Sequence, residues 1–116
     1  MLPLAFRLKR RSDFGRIYAK GRSYATDLIV VYVLPARDDA TKIGFSVGKK
    51  LGGATARNRV RRLLREAARQ FLPQLRAGYS VIVLARVRAG AANLSDLTAS
   101  LGAAFSRLGI LDAGDQ

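Results

Sequence analysis

Apolar and polar positions change their period several times along this chain, and each change marks an element. Ser12 followed by Asp13 is a helix-start pair. Phe14, Ile17 and Tyr18 then fall on one helical face, and Gly21 stops the helix. Residues 22–34, RSYATDLIVVYVL, are rich in β-branched and aromatic types and predict strand, broken near Thr26–Asp27. Pro35 and the Asp38–Asp39 pair predict a turn. In residues 42–47, KIGFSV, the side chains of Ile43, Phe45 and Val47 alternate with Gly44 and Ser46, the period of a strand. The glycine-rich stretch GKKLGGAT follows as a loop. Thr55 is the expected N-cap of a helix that runs to about Phe71, and Pro73 closes it. Residues 79–86, YSVIVLAR, predict another strand. Asn93 is the expected cap of a last helix, whose stripe is Leu94, Leu97, Leu101, Ala104, Phe105 and Leu108, with Gly109 at its end.

The order helix, strands, helix, strand, helix predicts an α/β (α+β) two-layer sandwich, with a sheet of about four strands and helices mainly on one face. No internal repeat, low-complexity linker or domain break interrupts it. The 116 residues suit a single domain, 1–116.

The helix around residues 56–69, ARNRVRRLLREAAR, departs from an ordinary amphipathic pattern. Six of its fourteen positions are arginine, against one acid, Glu66. At about 100° per residue, Val60, Leu63, Leu64, Ala67 and Phe71 form the apolar stripe that must face the sheet. Asn58, Arg62, Arg65 and Arg69 lie opposite. Arg57 and Arg61 flank one edge of the stripe, and Arg59 lies towards the other. Like charges three and four apart destabilise a lone helix by a few tenths of a kcal/mol per pair. Phosphates on a partner would remove that repulsion, and arginine holds phosphate with two hydrogen bonds where lysine acts as a point charge. The plain alternative is a solvated basic face.

Composition strengthens the phosphate reading. The net charge is +13, so a polyanion is the natural counterweight: nucleic acid first, an anionic membrane surface second, an acidic protein surface third. Nearly half the residues are apolar, enough for a core without staples. The chain has no Cys and no His, which removes disulfides, thiol or imidazole catalysis and the usual zinc ligands. Absent Cys is compatible with a cytoplasmic location. The opening MLPLAF is too short for a signal-peptide core, and no apolar run approaches the roughly 18 residues that span a bilayer.

Two further groups bear on binding. Lys49 and Lys50 stand among Gly48, Gly52 and Gly53, just ahead of a helix N-terminus that favours anions. The motif is not a P-loop, because the lysines precede the glycines. Phe14, Tyr18 and Tyr32 are either ordinary core or a stacking platform for unpaired bases. The acids Asp13, Asp27, Asp38, Asp39, Glu66, Asp96, Asp112 and Asp115 form no spaced pair, so the chain reads as a binder without a catalytic constellation.

The succession RLKRRSDFGRIYAKG, KIGFSVGKKLGGATARNRVRRLLREA and YSVIVLAR closely resembles the bacterial ribonuclease P protein family, from about Arg7 to Phe105. Its specific part is SVGKKLGGA followed by the triplet Arg57–Asn58–Arg59. The resemblance implies that the catalyst is a large RNA, which removes the 5′ leader of precursor tRNA with magnesium ions held mainly by the RNA. It implies a small accessory protein that binds the catalytic RNA and the leader, with no membrane and no obligate protein partner. It also implies a ribosomal-protein-like fold with a left-handed β-α-β crossover, against the usual handedness. By the same resemblance Phe14, Tyr18, Tyr32, Ser46, Lys49 and Lys50 would form a leader cleft. Arg57, Asn58, Arg59, Arg61, Arg62, Arg65 and Arg69 would face the catalytic RNA. One departure is Gly48, where the family commonly has a side chain. The competing readings are a general or ribosome-associated RNA binder, a protein-only nuclease that would need converging carboxylates, and a DNA binder resting on charge alone.

Overall fold

The computed structural model describes residues 11–36 and 41–112. Three helices and four strands follow in the predicted order. Helix α1 covers Arg11–Lys20, strand β1 Arg22–Ala25, β2 Ile29–Pro35 and β3 Lys42–Ser46. Helix α2 is Ala54–Arg69, β4 is Tyr79–Ala85 and helix α3 is Leu94–Leu108. The expected turn at Asp38–Asp39 lies outside the described residues.

The sheet runs in the order β1-β2-β4-β3. β1 and β2 form a hairpin whose turn is the break read at Thr26–Asp27. The Thr26 hydroxyl accepts from the N–H groups of Leu28 (3.2 Å) and Ile29 (3.1 Å), the local bonding that makes threonine a turn residue. β2 pairs antiparallel with β4. β3 pairs parallel with β4, joined through α2 as a parallel pair requires.

Alternation along the strands gives the sheet two different faces. Ile29, Val31, Val33, Ile43, Val81 and Val83 are all buried on one of them. There they meet Val60, Leu64 and Ala67 of α2 and Leu97, Leu101, Ala104 and Phe105 of α3. Burying such a side chain contributes about 1.5–3 kcal/mol, so this layer holds both helices. Among the described residues, α1 is the helix on the opposite face, pinned by Ile17 on Ile82 with Phe14, Tyr32 and Leu34 around them.

The caps divide into one that differs from its expectation and two that agree. Thr55 is not the N-cap of α2. The helix starts at Ala54 after Gly53, whose backbone is extended, and Thr55 lies inside the first turn. A short 3-10 turn, Lys49–Leu51, followed by Gly52 at φ 119°, sets this entry. At that φ a side chain is strained, so the glycine here is a conformational requirement. Asn93 does cap α3. Its side chain accepts from the Asp96 N–H (2.8 Å), while the Asp96 carboxylate accepts from the Asn93 N–H (3.1 Å). Gly109, at φ 74°, ends the helix in the left-handed conformation. Pro73 falls in the 3-10 turn Leu72–Gln74, just beyond α2.

Candidate nucleic-acid interface

The α1 face of the sheet carries the one exposed aromatic ring among the described residues, Tyr18. Phe14 and Tyr18 are one helical turn apart on α1, with ring centroids 6.5 Å apart. Tyr18 meets Tyr32 of β2 edge-on at 4.8 Å. Both spacings lie within the range of favourable ring pairs. Phe14 and Tyr32 are half-buried against Ile17 and Ile82, so they serve the core while presenting an edge. Tyr18 keeps 38% of its surface exposed. Packing and presentation are therefore combined in one aromatic wall, and the two readings of these residues are not exclusive.

The wall continues into a depression. Strand register places Tyr32, Ile82 and Gly44 in one row across the sheet and Val30, Leu84 and Ser46 in the next. Neighbouring rows on one face are about 7 Å apart. The second row floors a depression of about 530 Å³, bordered by Gly48, Lys50 and Val87. Gly48 leaves it open, since a Cβ there would meet no atom within 4 Å. Val87 is 60% exposed; with Tyr18 it is one of two large hydrophobic side chains left exposed among the described residues. Both belong to this face.

Of the residues assigned to the cleft by resemblance, Phe14, Tyr18, Tyr32, Ser46 and Lys50 are gathered here. Lys49 is exposed in the adjoining turn. The sequence pattern did not single out Val30 and Leu84 on the floor or Arg86 and Val87 at the rim. Alternation along the strands was the signal for Val30 and Leu84. Val87 lies past the end of its strand, where periodicity says nothing.

The loop 48–53 leads directly from this depression into α2 and its arginines. These are not equivalent. Arg57 and Arg62 have no hydrogen-bond or ionic partner among the described residues, and the Arg57 Nε is buried without an acceptor. Arg61 donates to the Asn58 Oδ1 at 2.9 Å, fixing both side chains on the exposed surface. Arg69 donates to Glu66 at 2.7 Å. Arg59 turns to the opposite edge of the helix, where its Nη1 donates to the Gly90 carbonyl (3.4 Å) and its Nη2 to the Ala92 carbonyl (3.3 Å). Arg65 is half-buried on the same helix.

The Arg69 guanidinium holds the Glu66 carboxyl below the usual glutamate range, and Glu66 in turn pushes Arg69 up. A depressed folded value means that the pair's contribution is present above the unfolded glutamate value and is lost as pH falls through the folded one. An NMR titration should therefore place the Glu66 midpoint below that of an unstructured glutamate, and Arg69→Ala should raise it. An unmoved midpoint would remove the pair from the account.

Among the described residues no group of three acidic side chains is placed to hold a metal ion. Asp13 and Asp27 lie 3.9 and 3.8 Å from Arg16 and Arg88, and Asp96 is engaged in its helix cap.

Known proteins share this sequence pattern and this fold. The ribonuclease P family model matches residues 2–109. The chain belongs to the ribonuclease P protein family. It is 43% identical over 108 residues to the ribonuclease P protein component of Symbiobacterium thermophilum, covering 92% of this chain and 94% of that one. It is 40% identical over 95 residues to that of Clostridioides difficile, covering 81% and 83%. The ribonuclease P protein of Staphylococcus aureus superposes with a TM-score of 0.84 at 33% identity, over 93% of this chain and 99% of its own. That of Thermotoga maritima gives 0.76 at 27% identity, over 84% and 92%. A ribonuclease P protein is the accessory subunit of an endoribonuclease ribonucleoprotein that matures the 5′ end of tRNA. Membership implies partnership with the ribonuclease P RNA and precursor tRNA. No helix among the described residues is long and apolar enough to cross a membrane.

Proposed function

We propose that this chain, as a single RNA-binding domain over 1–116, grips two RNAs on two surfaces that adjoin at the loop 48–53. The single-stranded 5′ leader of precursor tRNA lies along the α1 face of the sheet. Its bases rest on Phe14, Tyr18 and Tyr32, and its backbone passes Ser46, Lys49 and Lys50. Stacking on aromatic faces is worth about 1–3 kcal/mol per base and tolerates any sequence, as a protein serving many precursors requires. The catalytic RNA packs against the exposed side of α2, where Arg57, Asn58, Arg61, Arg62, Arg65 and Arg69 offer donors to its phosphates. Magnesium is assigned to the RNA, because the described carboxylates are spread over separate elements and engaged with the chain's own groups. The protein contributes orientation and charge neutralisation, and hydrolysis belongs to the RNA.

The observation that carries this reading is Tyr18, left exposed edge-on to Tyr32 beside a depression walled by Lys50. The test compares the reconstituted holoenzyme's affinity for precursor tRNA with a leader and for the same tRNA without one. Tyr18→Ala should weaken the leader-bearing substrate by about 1–3 kcal/mol, roughly 5- to 150-fold, and leave the leaderless one unchanged. Equal loss on both would mean that Tyr18 supports the fold alone. If the wild-type protein adds nothing to cleavage by the RNA at low magnesium, a general RNA binder becomes the better description.

A further inference from the structure

We infer that Arg59 is a positioning residue, which fixes one wall of the leader cleft relative to the arginine helix instead of contacting phosphate. It shares a triplet with Arg57 and Asn58, yet the helical period sends it to the other edge of the apolar stripe. Its guanidinium there is occupied by two backbone carbonyls, Gly90 at 3.4 Å and Ala92 at 3.3 Å. A planar fork of donors suits two acceptors at once, and a lysine ammonium on a flexible stem does not.

The segment it holds leads to the cleft. The 3-10 turn Val87–Ala91 follows β4, and its first residue borders the depression beside Lys50. At Gly90 the turn lies against Leu51, where a Cβ would sit 3.9 Å from the Leu51 Cδ2. Leu51 closes the Lys49–Leu51 turn that carries Lys50. Arg59 therefore ties the second turn of α2 to the turn that begins at Val87 and packs, at Gly90, on the turn that carries Lys50. Ala89, within the Val87–Ala91 turn, is fully buried and anchors that turn to the core independently. Loss of the Arg59 bonds should loosen the cleft wall without unfolding the protein. The inference rests on the leader cleft proposed above, and its test separates the two.

The test uses the full chain reconstituted with the catalytic RNA, carrying Arg59→Ala, Arg59→Lys, Arg62→Ala or Tyr18→Ala. Log affinity for the catalytic RNA is plotted against log salt. Arg62→Ala should reduce the slope by about one, the signature of a lost phosphate contact, whereas both Arg59 variants should keep the wild-type slope. Affinity for leader-bearing precursor should fall about fivefold in both Arg59 variants, the scale of one lost hydrogen bond. Leaderless tRNA should be unaffected. In the free protein, amide hydrogen exchange over 87–92 should quicken in Arg59→Ala. A slope reduced by about one in Arg59→Ala would overturn the inference, as would unchanged exchange over 87–92. If Tyr18→Ala leaves leader discrimination intact, the cleft reading fails, while slope and exchange still decide what Arg59 holds.

Discussion

Raising monovalent salt from 50 to 200 mM at constant magnesium is expected to weaken binding of this protein to its catalytic RNA by about 100- to 500-fold. The estimate follows from counterion release. Each neutralised phosphate contributes a slope of about −0.7 to −0.9 in log affinity against log salt. Arg62 and Arg69 are exposed on α2 and Arg57, Arg61 and Arg65 are half-buried beside them, and five contacts give a slope of about −3.5 to −4.5. The pairs Arg61–Asn58 and Arg69–Glu66 reduce this little, because exposed pairs of this kind are weak and exchange readily for phosphate. A filter-binding or fluorescence titration measures it directly. A change below about threefold would leave fewer than one effective phosphate contact and would remove the electrostatic basis for the α2 surface.

The second large effect concerns what holds that surface in place. Phe105 is fully buried, and its ring meets Phe71 edge-on at 5.5 Å, 88° between planes. The pair ties the last turn of α3 to the segment just beyond α2. Phe105→Ala should cost about 3–5 kcal/mol, the lost transfer energy plus a cavity that the sheet beneath cannot collapse to fill. Domains of this size are stable by about 5–15 kcal/mol, so the thermal midpoint of the free protein should fall by roughly 15 °C. Phe105→Leu, which keeps most of the volume, should cost much less. A loss below about 1 kcal/mol for the alanine variant would mean that the two helices are held elsewhere. The same variant should weaken RNA binding only near its own melting range, because it removes no cation.

These two expectations differ in how far they could be read from the chain itself. The salt dependence needed only the spacing of the arginines and the net charge. The role of Phe105 needed only its place on the 3.6-residue stripe, since a stripe that includes Leu97, Leu101 and Ala104 must be covered. The identity of the covering ring, Phe71, came from the fold.

Local order along the chain was legible wherever a period or a cap signal was strong. The stripes of α2 and α3, the alternation of β3, the turn at Thr26, the Asn93 cap and the Gly109 stop each rest on residues within one turn or hairpin of one another. The N-cap of α2 was misread at Thr55 because the preceding glycines permit several entries, and only the Lys49–Leu51 turn selects one. Gly21 was legible as a helix stop but not as a contact. A Cβ there would fall 2.6 Å from the Ile17 carbonyl oxygen and 2.8 Å from that of Val33. The missing side chain is what lets the end of α1 lie against β2, and so brings Tyr18 onto Tyr32. Spacing likewise placed Arg59 off the main cationic face, but a helix projection holds no information about the carbonyls of Gly90 and Ala92, about thirty residues away. By itself the sequence determined the elements, their apolar faces, the cationic side of one helix and, through its motifs, the family. Tertiary structure alone decided which aromatic ring stays exposed, which arginine bonds to the protein's own backbone and where the depression beside Lys50 opens. Those outcomes depend on contacts between distant segments, which local periodicity does not encode.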